Sequence, residues 1–588
     1  MSSSFMAVER RESKCLFCSA CCDIGVRLGP AATSQPDYPA TGDGRVGICG
    51  RGHYVVELLS HPQRLTGAYV SGNGKKELVR TDEGIRAVST RLKELGMGSH
   101  IGVIADGNLP CEALAGLAQF TKDVLKSDNF SVYIAPVDQA VLEGTGATQA
   151  ASFGLTDLAS CDVILAVGDP FSTVPVMAKS VEDARNAQRG NRLIVIDSLL
   201  GRTAKYSTDH LAVKPGAEGV VLAAIANESG AAGELSEALK GRTATSVADV
   251  AGFPAAAISS AAQAVKGAKK LGVIIGLAEG ATDDPRSVAL IAAAMAEAKG
   301  GGVVPALSYG NAVGAFRVAQ SVAAVPPGKL LKEAASGTLK GLLVFGKDLL
   351  RDFPADEWAR ALKNLHLLAV ALPIPGRISD IANATLPLGM WFEDEGTVID
   401  FSGARSEIVS LMDPPGTAAT AMGLAAAIAA EVAPASTLAV ELTAEDLMAR
   451  KSGEPADMLG NLDNLAGPAE SGAYLLVPCQ SSLNSYDGWL TLACTWGSLA
   501  DGRPVARIHP ADLAESGLAG VDTFTVAAEK GTLELIAKAD DRVPRGVLAV
   551  PCHIASRSGL IGKGIDDASG ALRTGPVSVK ITEKAKAE

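Results

Sequence analysis

Short, unbroken apolar runs recur along the middle of this chain: "HIGVIADG", "CDVILAVGD", "RLIVIDS", "KLGVIIGL", "GLLVFG" and "HLLAVAL". A strand with one face in water alternates apolar and polar residues. These runs do not, so both faces must be covered, as in a parallel sheet under helices. The segments between them carry the helical period. "TDEGIRAVSTRLKELG" opens on Thr81, a capping-type residue, and repeats apolar side chains at Ile85, Val88, Leu92 and Leu95. "PCEALAGLAQFTKDVLK" and the stretch near residues 175–189 read as further helices. Strands alternating with helices predict an α/β fold, and this many strands predict at least two doubly wound sheets. After about residue 470 the pattern changes to short alternating segments broken by Gly, Pro and Asp, which predicts a closing β-barrel. A helix and a linker are expected between the two parts.

A chain of 588 residues has room for three or four such units. Its 47% apolar and 20% charged residues fit folded domains rather than disorder. A formal charge of −12 excludes the basic surface that nucleic acid requires. Arg10–Arg11 is followed by no apolar stretch, so it is not read as an export signal. The longest uncharged run, Gly416 to Ala430, is too short to span a bilayer and reads as a buried helix. The expected location is the cytoplasm, where clustered cysteines hold metals or do redox chemistry more often than they form disulfides.

Such a cluster stands near the start. "CLFCSACCDIG" packs four of the chain's ten cysteines into eight positions, and the next is Cys49 in "GICGRGH". Cys15, Cys18 and Cys22 give C-x2-C-x3-C, with Cys49 as a remote fourth thiolate. Four thiolates are what a [4Fe–4S] cube takes, one per iron. Cys21 allows C-x2-C-x2-C instead, so spacing alone leaves the third ligand open. Zinc is the alternative, although the second C-x2-C knuckle of a zinc ribbon is missing. "GDGRVG", Gly42 to Gly47, fits a dinucleotide fingerprint only by letter, because it lacks a strand before it and a helix after it. Arg51 and His53 follow Cys49 closely. A cation there stabilises a reduced, more negative cluster or simply faces solvent.

Taken in order, these segments resemble the molybdopterin oxidoreductases, a group that includes formate dehydrogenases and is related to the large iron–sulfur subunit of NADH dehydrogenase. The likeness runs through the cysteine motif, "GICGRGH", "HPQRLTGAYV", "VILAVGDPFSTVPVM", "LIVIDSLLGRTAKYSTDHLAVKPGAEG", "NATLPLGMWFEDEGTVIDFSGARSEI" and "VARIHPADLAESGL". The resemblance implies an iron–sulfur domain at 11–64 and an α/β domain at 65–135 plus 338–430. It implies a second α/β domain inserted at 136–337 and a dinucleotide-binding type of β-barrel at 470–586. It implies one [4Fe–4S] cluster on Cys15, Cys18, Cys22 and Cys49, with Arg51 between cluster and pterin. Gly168, Asp169 and Asp197 would meet a molybdopterin guanine dinucleotide.

The likeness fails at the metal. Catalytic relatives carry a Cys, selenocysteine, Ser or Asp at about residues 130–142, but "NFSVYIAPVDQAVLEGTG" has neither Cys nor His. Ser131 and Asp138 are the side chains there able to ligate a metal, Asp138 in the catalytic alternative, but each is expected to be a turn or surface residue. The phosphate-pairing arginine of relatives is displaced to Arg202 or absent, and Glu218 stands where they have Asp. Cys111, Cys161, Cys479, Cys494 and Cys552 are expected to act as small apolar core residues. The expectation is therefore an iron–sulfur electron-transfer subunit without a working molybdenum site, joined to partner iron–sulfur or flavin subunits. The alternative is a catalytic molybdenum or tungsten bis-pterin enzyme of formate dehydrogenase type.

Overall fold

The computed structural model describes residues 9–28, 35–37, 48–72, 75–351, 355–436, 438, 440, 442–463, 472–566 and 569–585. The Gly42–Gly47 segment lies outside the described residues.

All six quoted apolar runs form strands, four of them fully buried and the other two buried except at Asp106 and Arg192, and they fall into two sheets. The first has seven strands in the order Lys75–Val79, Ala68–Gly72, Ala384–Pro387, Leu367–Leu372, Gly341–Phe345, Ile101–Asp106, Phe130–Tyr133. Its five strands from Ala384–Pro387 onward are parallel, and the Ala68–Gly72 hairpin closes one edge in antiparallel pairing. The second sheet has six parallel strands, ordered Asp209–Leu211, Arg192–Ile196, Val163–Gly168, Leu271–Gly276, Gly302–Pro305, Ala151–Ser152. It is inserted in sequence between two strands of the first.

In each sheet the chain order reverses between two adjacent strands. The reversal lies between Ile101–Asp106 and Gly341–Phe345 in the first sheet, and between Val163–Gly168 and Leu271–Gly276 in the second. Loops leaving the carboxyl ends of such a strand pair diverge and open a crevice. These two crevices position everything that follows.

The chain closes in a six-stranded barrel of Tyr474–Cys479, Val547–Pro551, Val505–Ile508, Gly531–Ala539, Thr523–Ala528 and Val577–Ala585. Short helices, such as Thr495–Asp501 and Pro510–Glu515, punctuate it where the sequence pattern shows few helical periods. At the other terminus, Glu9–Lys14, Asp23–Leu28 and Gln35–Asp37 form a small antiparallel sheet that carries the cysteines on its first turn.

Helix Thr81–Leu95 forms as its spacing predicts, burying Ile85, Val88 and Leu92. Thr81, however, does not cap it. The capping position is Arg80, with no side-chain bond, and the Thr81 hydroxyl is turned inward to meet Thr417 Oγ1 at 2.6 Å. Helices Pro136–Thr145 and Pro285–Ala298 pack so closely that a Cβ at Gly144 would strike the backbone of Arg286.

A buried ion pair ties the cysteine-bearing segment to the first sheet. Arg64 and Glu393, only 4% and 0% exposed at the side chain, face each other through both nitrogens and both oxygens. Glu393 Oε2 also accepts from Met390 N at 2.9 Å. Removing one partner strands a charge in the core, which costs about 3–5 kcal/mol, whereas replacing both with apolar groups is often nearly neutral. Glu393→Gln is therefore expected to lower unfolding free energy by about 3 kcal/mol or more in denaturant titration. The double Met replacement of Arg64 and Glu393 should lose less, and equal losses would contradict this account.

Candidate functional site

The cysteine loop folds against the segment that leaves strand Gly302–Pro305. Ser19 N donates to Leu307 O at 3.1 Å, Leu307 N returns to Ser19 Oγ at 3.0 Å, and Phe401 N donates to Ser19 O at 2.9 Å. Cys15 N donates to Cys22 O at 2.8 Å and closes the loop. Phe17 packs edge-on against Trp391 at 5.0 Å, and Trp391 Nε1 donates to Lys14 O at 3.2 Å. Gly310 lies so close to Leu16 that any Cβ there would collide with the loop backbone.

Cys15, Cys18 and Cys21 are buried, and Cys22 and Cys49 half-buried. Burial pushes the Cys15 thiol up, and the nearby Cys49 and Cys18 push it further. Burial likewise raises Cys22, helped by Cys18, Cys15 and Cys49. The four candidate ligands thus feel one another's charge. Cys21 is different. It sits at φ +43° and its Sγ donates to Gly310 O at 3.0 Å, so its thiol is engaged with protein. Among the described residues no three Cys, His, Asp or Glu side chains are arranged to hold a single metal ion.

Arg51 is buried beside them, on the turn Gly50–His53 that Cys49 caps. Its guanidinium donates to Phe17 O at 3.3 Å on the cysteine loop and to Ser172 O and Thr173 O on the loop after strand Val163–Gly168. Its Nε is buried with no hydrogen-bond partner. His53 is half-buried on the same turn. Thiols of this number beside a buried cation are the donor type that an iron–sulfur cluster takes.

Ser131 and Asp138 are neither turn nor surface residues. Ser131 lies inside strand Phe130–Tyr133, fully buried, with its hydroxyl unpartnered. Asp138 is in the first turn of helix Pro136–Thr145, where it accepts from Ser308 N at 2.8 Å and Tyr309 N at 3.1 Å. Burial lifts its carboxyl to about 7. The sequence pattern hid this because its partners lie some 170 residues away in the chain.

The crevice of the first sheet opens next to the cysteine loop and is filled. Lys347, just past the end of strand Gly341–Phe345, is buried with its Nζ 2.7 Å from Asp487 Oδ2 and 2.9 Å from Tyr309 OH. The ammonium also stands 5.0 Å from the Tyr133 ring and 5.5 Å from those of Tyr309 and Tyr486. Asp106, at the end of the neighbouring strand, is lifted to about 7 by burial, with Lys347 opposing. The cavity left here, walled by Phe17, Asp106, Tyr309, Lys347, Asp487 and Trp489, is about 50 Å³, against roughly 300–1,000 Å³ for an organic cofactor. Sequence reasoning missed this group. Its one signal is a charged residue at the carboxyl end of an apolar strand.

The crevice of the second sheet gathers carboxylates. Gly168, at φ +81°, is pressed against Gly276 O. Asp169 is saturated by Thr203 N and Oγ1, Ser172 Oγ and Arg202 N at 2.6–3.0 Å. Arg202 brings only its backbone here, and its side chain is exposed. Asp197 is lifted to about 7 by burial and by Asp169, and Glu218 to about 8 by burial, with Asp197 adding. Glu218 Oε2 is buried with no partner. Arg507 of the barrel faces them but is shared with Cys479 and Asp540. Cys111, Cys161, Cys494 and Cys552 are buried, while Cys479 is half-buried beside Arg507.

Residues 83–431 match the family model of molybdopterin oxidoreductase, and residues 486–576 that of the molybdopterin dinucleotide binding domain. The chain belongs to the molybdopterin oxidoreductase family. It is 24% identical over 462 residues to the F420-dependent formate dehydrogenase 2 subunit alpha of Methanococcus maripaludis, covering 69% of this chain and 67% of that one. It is 23% identical to the NADPH-Fe(3+) oxidoreductase subunit alpha of Geobacter sulfurreducens, over 92% of this chain and 71% of that one. The fold matches acetylene hydratase from Pelobacter acetylenicus with a TM-score of 0.75 at 13% identity, covering 98% and 100% of the two chains. No described helix is long and apolar enough to cross a membrane. At the first crevice Lys347 and Asp487 neutralise each other.

Glu218 gives a signed pH dependence. A carboxyl whose folded pKa exceeds its unfolded value contributes fully below about pH 4.5, and that contribution is lost as pH rises through 8. Glu218→Gln should therefore raise Tm relative to the parent more at pH 8 than at pH 5. A pH-independent difference would contradict the burial of this carboxyl.

Proposed function

We propose that this chain is an iron–sulfur electron-transfer subunit of a multi-subunit oxidoreductase. In this reading Cys15, Cys18, Cys22 and Cys49 hold one [4Fe–4S] cluster, Arg51 screens its charge, and no molybdenum site operates. The observation that carries it is the contrast between two neighbouring places. Cys15, Cys18 and Cys22 share one loop beside the buried Arg51, which follows Cys49 on its turn, whereas the first crevice holds the paired Lys347 and Asp487 among three tyrosine rings. Cys21 is spare, because its thiol is bonded to Gly310 O.

The division into 11–64, 65–135 plus 338–430, 136–337 and 470–586 belongs to the same proposal, as does a cytoplasmic location. A single cluster only relays electrons, so other iron–sulfur or flavin subunits must supply and accept them. The relatives' own names, each a subunit alpha, support such partners.

A second reading, a molybdenum or tungsten bis-pterin enzyme of formate dehydrogenase type, is favoured by one observation. The dinucleotide binding domain matches across residues 486–576. Elemental analysis of the purified chain separates the two. About four iron per chain with neither molybdenum nor tungsten is expected. Stoichiometric molybdenum or tungsten would overturn the electron-transfer reading. Cys22→Ser should lose the iron and Cys21→Ser keep it, and the reverse result would exchange their roles.

A further inference from the structure

A cavity of about 170 Å³ lies at the edge of the second sheet that ends in strand Ala151–Ser152, and it backs onto the cysteine loop. Its inner wall is apolar. Val303 and Pro305 of strand Gly302–Pro305, Val313 of helix Ala312–Ser321 and Phe401 are buried there, and Phe316 is half-buried beside them. Two of these residues also hold the cysteine loop. Phe401 N donates to Ser19 O at 2.9 Å, and Ser19 Oγ donates to Pro305 O at 3.4 Å.

The opening carries charge of one sign. Arg317, Arg450 and Lys451 line the cavity, and among the described residues no carboxylate does. This runs against the chain's net charge of −12. Arg317, on helix Ala312–Ser321, donates from Nη1 to Leu447 O at 3.1 Å, and Arg450 donates back from Nη1 to Gln320 O of that helix at 3.4 Å. The two guanidiniums are therefore crossed between the helix and segment 447–451. Each uses one nitrogen in this way and keeps further donors.

Lys451 is paired with Glu454 at 2.9 Å, but among the described residues neither Arg317 nor Arg450 forms an ion pair. Burial pushes the half-buried Arg317 below its ordinary value and Arg405 adds to this, with Cys111 and Asp400 opposing. Asp400 is engaged on its own turn, where Oδ1 accepts from Ser402 N, Ser402 Oγ and Ala404 N at 2.6–3.1 Å. A half-buried cation beside a second one is unfavourable until an anion meets it.

Size and lining narrow that anion. The volume exceeds the roughly 30 Å³ of one water and falls short of the roughly 300–1,000 Å³ of a drug-sized ligand or cofactor, which excludes a nucleotide. A bare inorganic anion would meet the arginines and leave the apolar wall uncovered. A carboxylate on a short carbon chain meets both, with its two oxygens on a guanidinium fork and its chain out of water against the phenyl rings.

We propose that this cavity binds a short-chain monocarboxylate, with its carboxylate on Arg317 and Arg450 and its chain against Phe316 and Phe401. None of these residues belongs to the cysteine set or to either crevice, so the site does not rest on the electron-transfer reading.

The test is calorimetric titration of the full chain with sodium butyrate, and separately with acetate and with inorganic phosphate. Saturable 1:1 binding of butyrate is expected, about tenfold tighter than acetate because two more methylenes leave water. Phosphate should bind more weakly than butyrate. Arg317→Gln should weaken butyrate binding at least about tenfold, the loss of a charge-assisted pair. Arg189→Gln, which removes an exposed arginine that does not line the cavity, should bind as the parent does. The proposal is overturned by no saturable butyrate binding, by equal binding of acetate and butyrate, by phosphate binding as tight as butyrate, or by parent-like binding in Arg317→Gln. If Arg317→Gln does not fold, Arg450→Gln carries the same test, because that side chain is exposed. Parent-like butyrate binding in that variant then overturns the proposal.

Discussion

Arg51 buries a full positive charge where the cysteine loop meets the second sheet, and the elements around it are disposed to satisfy that charge. Its guanidinium reaches the carbonyl of Phe17 on one side and those of Ser172 and Thr173 on the other. An isolated buried cation is costly, so those carbonyls cannot drift without exposing the cost. The loop bearing Cys15 and Cys18 and the loop after strand Val163–Gly168 are therefore fixed relative to each other. Cys49, two residues before Arg51, is brought to the same point by chain connectivity alone. Trp391 and Arg64 extend the arrangement toward the first sheet, one by packing on Phe17 and the other by pairing with Glu393.

The charged groups at the centre sort by whether they are paired. Lys347 with Asp487 and Arg64 with Glu393 are closed pairs, each nearly neutral as a unit. Breaking either leaves an unmatched charge, so both act as fasteners. Cys15, Cys18 and Cys22 on one loop, and Asp197 with Glu218, are like groups held together, and burial with mutual charge raises the energy of their charged forms. Folded chains do not usually gather like groups without a reason, and such places are where ligands are sought. Thiols in such a set are candidate metal ligands, and the buried carboxyls are hydrogen-bond acceptors.

The fold was legible because it rests on period and length. Each of the six apolar runs became a buried strand, and the change after residue 470 became the barrel, since covered faces and alternating faces leave different marks in sequence. The cysteine motif was legible because Cys15, Cys18 and Cys22 share one loop. What could not be read depends on distance in the chain. Lys347 and Asp487 are separated by 140 positions, and Asp138 finds its partners 170 positions on. Thr81 carries the composition of a cap, but its hydroxyl is drawn inward by Thr417, a contact no local rule contains.

The position of Lys347 shows how a single charge is accommodated at the order reversal of the first sheet. Strand Gly341–Phe345 ends at the order reversal of the first sheet, and its buried residues pack the same core whatever follows Gly346. A lysine there cannot stay in the crevice as a bare cation. Asp487 and the Tyr309 hydroxyl supply bonds, and three tyrosine faces supply favourable electrostatics in a space too narrow for bulk water. Two side chains on loops, set among aromatic rings, thus occupy the crevice at the reversal and leave a cavity of about 50 Å³ beside them.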